Sequence, residues 1–324
     1  MKDFEHKKCF FCGSKRTKKN GKRNGKQRYK CNDCGRRFDG GERLNSAFLW
    51  QLYSERKQTK EELAKDFGCS SRTITRYLNK SIKNNNFPTP KSVILLMDTT
   101  YFGRKYGVMV LFDARTKQAL SVDEVKYETN VLYFEAVNKL KAKGIKIQSI
   151  TYDLRKGLVD LFPNIPVQLC HFHQNQNIKR YLTNNPKMPA SIELKRISLT
   201  LTKTNKETFE NELKQWYKKY KSFLNERTVN PETRKSHYTH KRLRSAFFSL
   251  KRNLPYLFVF EDFPDLNIPN TTNLLEEKFK DMKRSLSNHQ GMHKDNKILF
   301  IKDFYLQNRT NSTHFVLYGV FQQK

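Results

Sequence analysis

The sequence predicts an α/β protein: a mixed-sheet core with helices on both faces, interrupted by an all-helical stretch and preceded by two small basic modules. Three observations predict it. Residues 93–185 run through strand and helix patterns in the order β-β-β-α-β-α-β-α. Residues 186–264 break that alternation with long, Lys-rich helical runs. The first 83 residues carry two Cys-x-x-Cys pairs and then three short helical patterns around a glycine turn.

In chain order, residues 1–42 come first. Cys9-Phe-Phe-Cys12 and Cys31-Asn-Asp-Cys34 are separated by eighteen residues. Each pair can form a knuckle, and two knuckles supply the four thiolates of one tetrahedral, structural Zn²⁺. The segment is too small for its own core, so zinc would hold this ribbon together. Its Gly- and Lys-rich middle suits a hairpin, on which Lys22, Arg23, Lys26 and Arg28 are candidate phosphate contacts.

Residues 43–83 read as a helix-turn-helix. Ala47, Leu49 and Leu52 begin one helix, and residues 61–67 form a second. Gly68 makes the turn, and Ser70 or Ser71 caps a third helix with Ile74, Tyr77 and Leu78 facing inward. Arg72, Thr73, Thr75 and Arg76 are then the groove-facing candidates. Cys69 sits in the turn as a lone thiol. Residues 84–92, rich in Asn and Pro, read as a linker.

The core pattern follows. Residues 93–97, 106–112 and 119–127 form three strands in succession, an antiparallel meander. Helical spacing covers 129–143, a fourth strand 145–152, a short helix 155–162 and a fifth strand 167–170, before a helix through Asn177, Ile178 and Leu182. That order is the ribonuclease H-like one. The first core segment spans 93–185 and the all-helical basic insertion 186–264. A second core segment, 265–310, returns with a strong helix from Asn273 to about Leu286. The tail 311–324 has no clear pattern.

Asp98 and Asp153 each follow directly after a hydrophobic strand. In this topology strands one and four are neighbours, so the two carboxylates should stand side by side at the sheet edge. Paired carboxylates are hard oxygen ligands for two Mg²⁺ or Mn²⁺ ions, which activate water and stabilise a leaving oxygen in phosphoryl transfer. A third carboxylate should come from the 273–286 helix, where Leu275, Phe279, Met282 and Leu286 form one apolar stripe. At 100° per residue Glu276 flanks the stripe, about 90° from its centre, while Glu277 lies about 190° away, facing solvent. Glu276 is favoured, against the alternative that Asn273 and Glu276 form a capping box.

Charge narrows the partner. The chain holds 63 Lys and Arg against 31 Asp and Glu, a net +32, which points to a polyanion. Residues 1–90 carry +14 and residues 176–252 carry +13, while 91–175 carry +4 and 253–324 only +1. No apolar run approaches the ~20 residues of a membrane span, and the N-terminus lacks a signal-peptide pattern. The tyrosines show no Arg-His-Arg-Tyr grouping, so a covalent tyrosine nucleophile finds no support.

Three stretches carry a resemblance over roughly residues 90–310. They are Leu96-Met-Asp98-Thr-Thr-Tyr; Thr151-Tyr-Asp153 with the downstream Val167-Gln-Leu-Cys170-His-Phe-His173-Gln-Asn-Gln-Asn177; and Thr272-Asn273-Leu-Leu-Glu276 after the insertion. The chain resembles bacterial insertion-sequence transposases of the Mutator-like superfamily, in the variant with an N-terminal zinc-binding region. The resemblance implies a DDE nuclease and strand transferase with Asp98, Asp153 and Glu276 as catalytic residues. It also implies Cys170 and His173 as an active-site motif. Its partners would be double-stranded DNA, both terminal inverted repeats and target, bound as a homodimer in the bacterial cytoplasm at the nucleoid. The role of Cys170 and His173 does not follow from the residues, and His171 could equally be the functional histidine. Leu154-Arg155-Lys156-Gly157 departs from the small-residue helix start that commonly follows the second aspartate. Two other readings share these modules: a DNA-binding regulator with an inactive nuclease domain, and a structure-selective nuclease of the same fold.

Overall fold

The computed structural model describes residues 8–9, 11–23, 25–39, 44–54, 56, 58–80, 87–289 and 291–307. Residues 84–86 of the expected linker, residues 308–310 and the tail 311–324 lie outside the described residues. The chain forms two compact units, residues 1–83 and 84–324.

In the first unit β1 (Thr17–Arg23), β2 (Lys26–Cys31) and β3 (Arg37–Asp39) form an antiparallel sheet in chain order. Its buried cluster is only Cys9, Cys31 and Phe38, with Tyr29 stacked on Phe38. So little apolar surface cannot offset chain entropy unaided. Helices α1 (Ser46–Ser54), α2 (Lys60–Asp66) and α3 (Ser71–Lys80) follow. Thr59 and Glu62 close a capping box at α2, Gly68 takes the left-handed turn at φ +57°, and the Ser70 hydroxyl accepts from the Thr73 amide to cap α3. Leu49, Leu63, Ile74 and Leu78 fill the space between the helices, with Tyr77 only half-buried at its edge.

The second unit is built on five strands: β4 (Ser92–Phe102), β5 (Tyr106–Asp113), β6 (Gln118–Val125), β7 (Lys146–Tyr152) and β8 (Val167–Leu169). Their spatial order is β6-β5-β4-β7-β8. The first three pair antiparallel, and β7 and β8 add in parallel. Such crossovers need intervening helices, here α4 (Asn130–Ala142) between β6 and β7. On one face Val93, Leu95, Met97, Ile150 and Tyr152 pack into a large apolar core with α4 and α5 (His171–Leu182). The other face is covered by α10 (Asn273–Ser287) and α11 (Lys294–Gln307), which pack on β4 and β6.

Between α5 and α10 lies the insertion: α6 (Pro189–Thr200), α7 (Lys206–Asn225), β9 (Arg227–Val229), β10 (Ser236–Tyr238), α8 (Lys241–Asn253) and the single turn α9 (Val259–Asp262). It is therefore not all-helical. Pro231 cannot continue a helix, and Arg227-Thr-Val pairs with Ser236-His-Tyr in an antiparallel hairpin. Phe209, Trp216, Phe247 and Phe258 of this stretch belong to the same apolar core as the sheet. Two further expectations change. β4 does not end at Asp98 but runs on to Phe102, because Thr99, Thr100 and Tyr101 keep a partner in β5. Residues 155–162 form a loop with one 3₁₀ turn, Val159–Leu161. Gly157 at φ +72° interrupts the expected helix.

Candidate active site and metal centre

The parallel pairing of β4 with β7 sets the heights of the two aspartates. Its last rung is Leu96↔Thr151. Asp98 and Asp153 each stand two residues beyond that rung, at equal register, where the two strands part. Leu96 and Thr151 belong to the face opposite the large core, the face α10 covers. Side chains alternate along a strand, so Asp98 is on that face too.

Glu276 arrives from above on α10. The stripe Leu275, Phe279, Met282 and Leu286 is buried, Glu276 is half-buried beside it and Glu277 is exposed, as the wheel predicts. The capping-box alternative is not what forms. The N-cap is Thr272, which makes no side-chain bond to the helix backbone. Its hydroxyl instead lies 3.2 Å from Glu276 Oε1 and 3.4 Å from Cys170 Sγ, and its amide donates to the same sulfur at 3.3 Å. Thr272 is completely buried. The segment is fixed by the Thr151 hydroxyl, which donates to Pro269 O, and by the His171 amide, which donates to Asn270 O.

Cys170 Sγ, a His173 ring nitrogen and a Glu276 oxygen lie within 4.8 Å of one another, with His173 Nε2 3.8 Å from Glu276 Oε1. The geometry separates the two histidines. His171 is fully buried between Phe258 and Phe260, its Nε2 on Leu257 O; burial lowers its pKa. Gln168 clasps the same segment through Leu257 O and the Phe260 amide. His171 thus anchors the insertion, and His173 turns to the carboxylates. Burial would lower His173, but Cys170 and the charges of Asp98 and Glu276 outweigh it and push it up to about 9. Burial, with Asp153 and Glu276 nearby, pushes Asp98 up to about 7, against the opposing pull of His173 and the Thr99 amide. Asp98, Asp153, Glu276 and His173 therefore share one electrostatic site. Asp98 and Asp153 fall outside the 4.8 Å cluster.

A second network joins the aspartates from the side, and no sequence pattern announces it. The Thr99 amide donates to Asp98 Oδ1 at 2.7 Å, and the Thr99 hydroxyl lies 2.9 Å from Tyr133 OH. Tyr133 donates to Glu128 Oε1 at 2.7 Å, and Glu128 pairs with Arg155 at 3.3 Å. The Arg155 amide then donates to Asp153 Oδ1 at 3.1 Å, while its guanidinium holds Asn130 and Glu128 O. Arg155 thus ties down the loop that bears Asp153. Tyr305 on α11 is also buried, its hydroxyl without a hydrogen-bond partner among the described residues, its pKa raised by burial and by the charge of Asp98. The links that close this network, Thr99 to Tyr133 and Glu128 to Arg155, span 34 and 27 residues, so periodicity carries no signal for them.

The four cysteines of the first unit converge. Cys9 Sγ is 3.5 Å from Cys34 Sγ, and Cys12 Sγ is 3.6 Å from Cys31 Sγ. A tetrahedral site with Zn–S of about 2.3 Å has edges of about 3.8 Å, whereas a disulfide needs about 2.05 Å. The donor set fits Zn²⁺. Among the other candidates, Lys22 and Arg23 are exposed, and Lys26 pairs with Arg23 across the hairpin turn, its side chain outside the described residues. Arg28 is drawn to Asp39 at 3.8 Å. On α3 Arg72 and Arg76 are exposed. The hydroxyls of Thr73 and Thr75 are engaged locally, with Ser70 and with Ser71 O.

No family model and no curated protein matches the chain. Solved structures that match include the Drosophila P element transposase strand transfer complex, at 11% identity over 86% of this chain and 95% of the other, with a TM-score of 0.41. Another is a simian T-cell lymphotropic virus intasome in complex with PP2A regulatory subunit B56 gamma, at 11% identity and a TM-score of 0.22. There the alignment covers 62% of this chain and 65% of the other, less than two thirds of its length. Likenesses this distant carry no weight for the site. No helix among the described residues is long and apolar enough to cross a membrane.

Proposed function

We propose that the chain is a DNA transposase of the DDE kind, built on a ribonuclease H-like core. The observation that carries this reading is the β4–β7 register, Leu96↔Thr151, which brings Asp98 and Asp153 to equal height beneath Glu276. The strand order β6-β5-β4-β7-β8 supports the fold assignment. Three carboxylates, two of them near enough to raise the third electrostatically, are a hard, anionic donor set suited to Mg²⁺ or Mn²⁺. Bound there, the ions would activate the attacking hydroxyl and stabilise the leaving oxygen.

The chain's own groups hold that arrangement. Thr272 and Cys170 orient the Glu276 carboxylate. His173, protonated at neutral pH, offsets part of the negative charge and is placed to face a phosphodiester. Glu128 and Arg155 hold the Asp153 loop. Water cuts the DNA at the element's end, and the freed 3′-hydroxyl then attacks target DNA. The zinc ribbon and α3 recognise the end through Arg72, Arg76 and the hairpin cations. The basic insertion grips the flanking backbone.

The test is a strand-transfer assay with Mg²⁺ on DNA bearing the element's ends. The wild-type chain should join ends to target, and Asp98→Asn, Asp153→Asn and Glu276→Gln should each lose the activity by at least about 10³-fold. Full activity in any of the three removes that residue from the site. Cutting of branched DNA without specific ends would instead indicate a structure-selective nuclease.

A further inference from the structure

A cavity of about 590 Å³ opens beneath the loop that follows Asp153. Its walls come from the core and from the insertion: Arg155 and Lys156 on the loop, Arg180 on α5, and Arg252 at the end of α8. Lys156, Arg180 and Arg252 have no ion-pair partner among the described residues, and Asp160 is the single acid in the lining. The wall is braced. The Arg180 guanidinium donates to Asn177 Oδ1 at 2.7 Å, and Asn177 Nδ2 donates to Ser249 Oγ at 2.8 Å. At its base lies Tyr152, 1% exposed, whose hydroxyl oxygen faces the Val159 amide and whose own proton finds no acceptor among the described residues. A buried donor without an acceptor is costly and uncommon.

Three cations set against one carboxylate on a concave wall attract an anion. Guanidinium forks match a phosphate geometrically, and a buried phenol can donate one bond more. We infer that this cavity binds a phosphate group, carried either by a DNA strand or by a free nucleotide. Leu154, Arg155 and Lys156 follow Asp153 directly, so a strand whose scissile phosphodiester lies at the carboxylates would bring a neighbouring phosphate to this opening. The strand source rests on the transposase reading; the phosphate site itself does not.

The test is isothermal titration of the full, zinc-loaded chain with inorganic pyrophosphate, a nucleoside triphosphate and a 5′-phosphorylated tetranucleotide. Binding should saturate at one site and weaken about tenfold or more in Lys156→Ala/Arg252→Ala. Tyr152→Phe keeps the buried ring and should weaken it by roughly three- to tenfold. The exposed pair Lys218→Ala/Lys221→Ala on α7 should change it less than about twofold. Tighter binding of the tetranucleotide assigns the site to a DNA strand, and tighter binding of the triphosphate assigns it to a free nucleotide. Absence of saturable binding, or an equal loss in the α7 control, overturns the inference. Because nothing is cleaved in this experiment, a chain that binds phosphate here but never joins DNA would refute the transposase reading alone.

Discussion

Asp98 carries a cost that the proposed metal site accounts for. Its carboxyl is pushed up to about 7 by burial and by Asp153 and Glu276, so ionising it in the metal-free protein works against folding. The penalty is fully present above about pH 7 and shrinks as pH falls toward the ordinary carboxylate range. Asp98→Asn should therefore raise the melting temperature of the metal-free chain at pH 8, by roughly 1–3 kcal/mol of stability, with a smaller gain at pH 5. Calorimetry at the two pH values checks this, and an unchanged or lowered melting temperature at pH 8 would contradict it. Tyr133 is a positioning residue, since it reaches Asp98 through Thr99 and Asp153 through Glu128 and Arg155. Tyr133→Phe keeps the buried ring and removes the bridge. Its Mn²⁺ affinity should fall about three- to tenfold, while stability falls by only ~1–2 kcal/mol. A stability loss with unaltered Mn²⁺ affinity would make Tyr133 merely structural.

Among the elements, the ribbon and the helices of the first unit differ in what holds them. The ribbon's buried cluster is two cysteines and a phenylalanine, so removing zinc should melt β1–β3. The helices keep their own apolar contacts through Leu49, Leu63, Ile74 and Leu78. Circular dichroism with a zinc chelator should lose strand signal from residues 8–39 and retain helix; an unchanged spectrum would mean the ribbon stands without metal. On α3, Arg72 and Arg76 project without ion pairs among the described residues. Arg72→Ala/Arg76→Ala should weaken DNA binding and lower the salt dependence of log K by about 1.8, the share of two phosphate contacts. An unaltered slope would point these arginines away from phosphate. The α10 helix shows how far an element can be read from pattern. Its apolar stripe placed Glu276 beside the buried face, yet the residue that orients its carboxylate is Thr272, one turn away and bonded to a cysteine over a hundred positions earlier.

Across the second unit, the insertion is continuous with the core of the sheet. Trp216 is buried, its indole donates to Ala190 O, and it belongs to the apolar cluster that reaches Val93 and Tyr152 on the sheet. Trp216→Ala should cost about 3–5 kcal/mol, and residues 84–324 should then unfold in one shifted transition. Two separated calorimetric transitions would show that the insertion folds independently. This continuity gives the charge distribution a mechanical meaning. The +13 of residues 176–252 sits on a body braced against the strands that carry Asp98 and Asp153, so under the proposed function a DNA gripped there would be held at a set place relative to the carboxylates.

By itself the sequence determined the periodic and the local. Strand and helix patterns placed strands one and four side by side, the cysteine spacing brought four sulfurs together, and the α10 stripe separated Glu276 from Glu277. These follow from side-chain periods of 2 and 3.6 residues and from short chain loops, which are written along the chain. The tertiary structure decided the rest. It continued β4 past Asp98, put a hairpin in the insertion, divided His171 from His173, and assembled Thr99, Tyr133, Glu128 and Arg155 between the two aspartates. The long β4 and the insertion hairpin depend on pairing with a neighbouring strand, and the His171 anchor on Leu257 and the Thr99–Tyr133 and Glu128–Arg155 links depend on partners far away in sequence. Whether a polar side chain braces or acts is set by what folding brings against it, and no single segment encodes that.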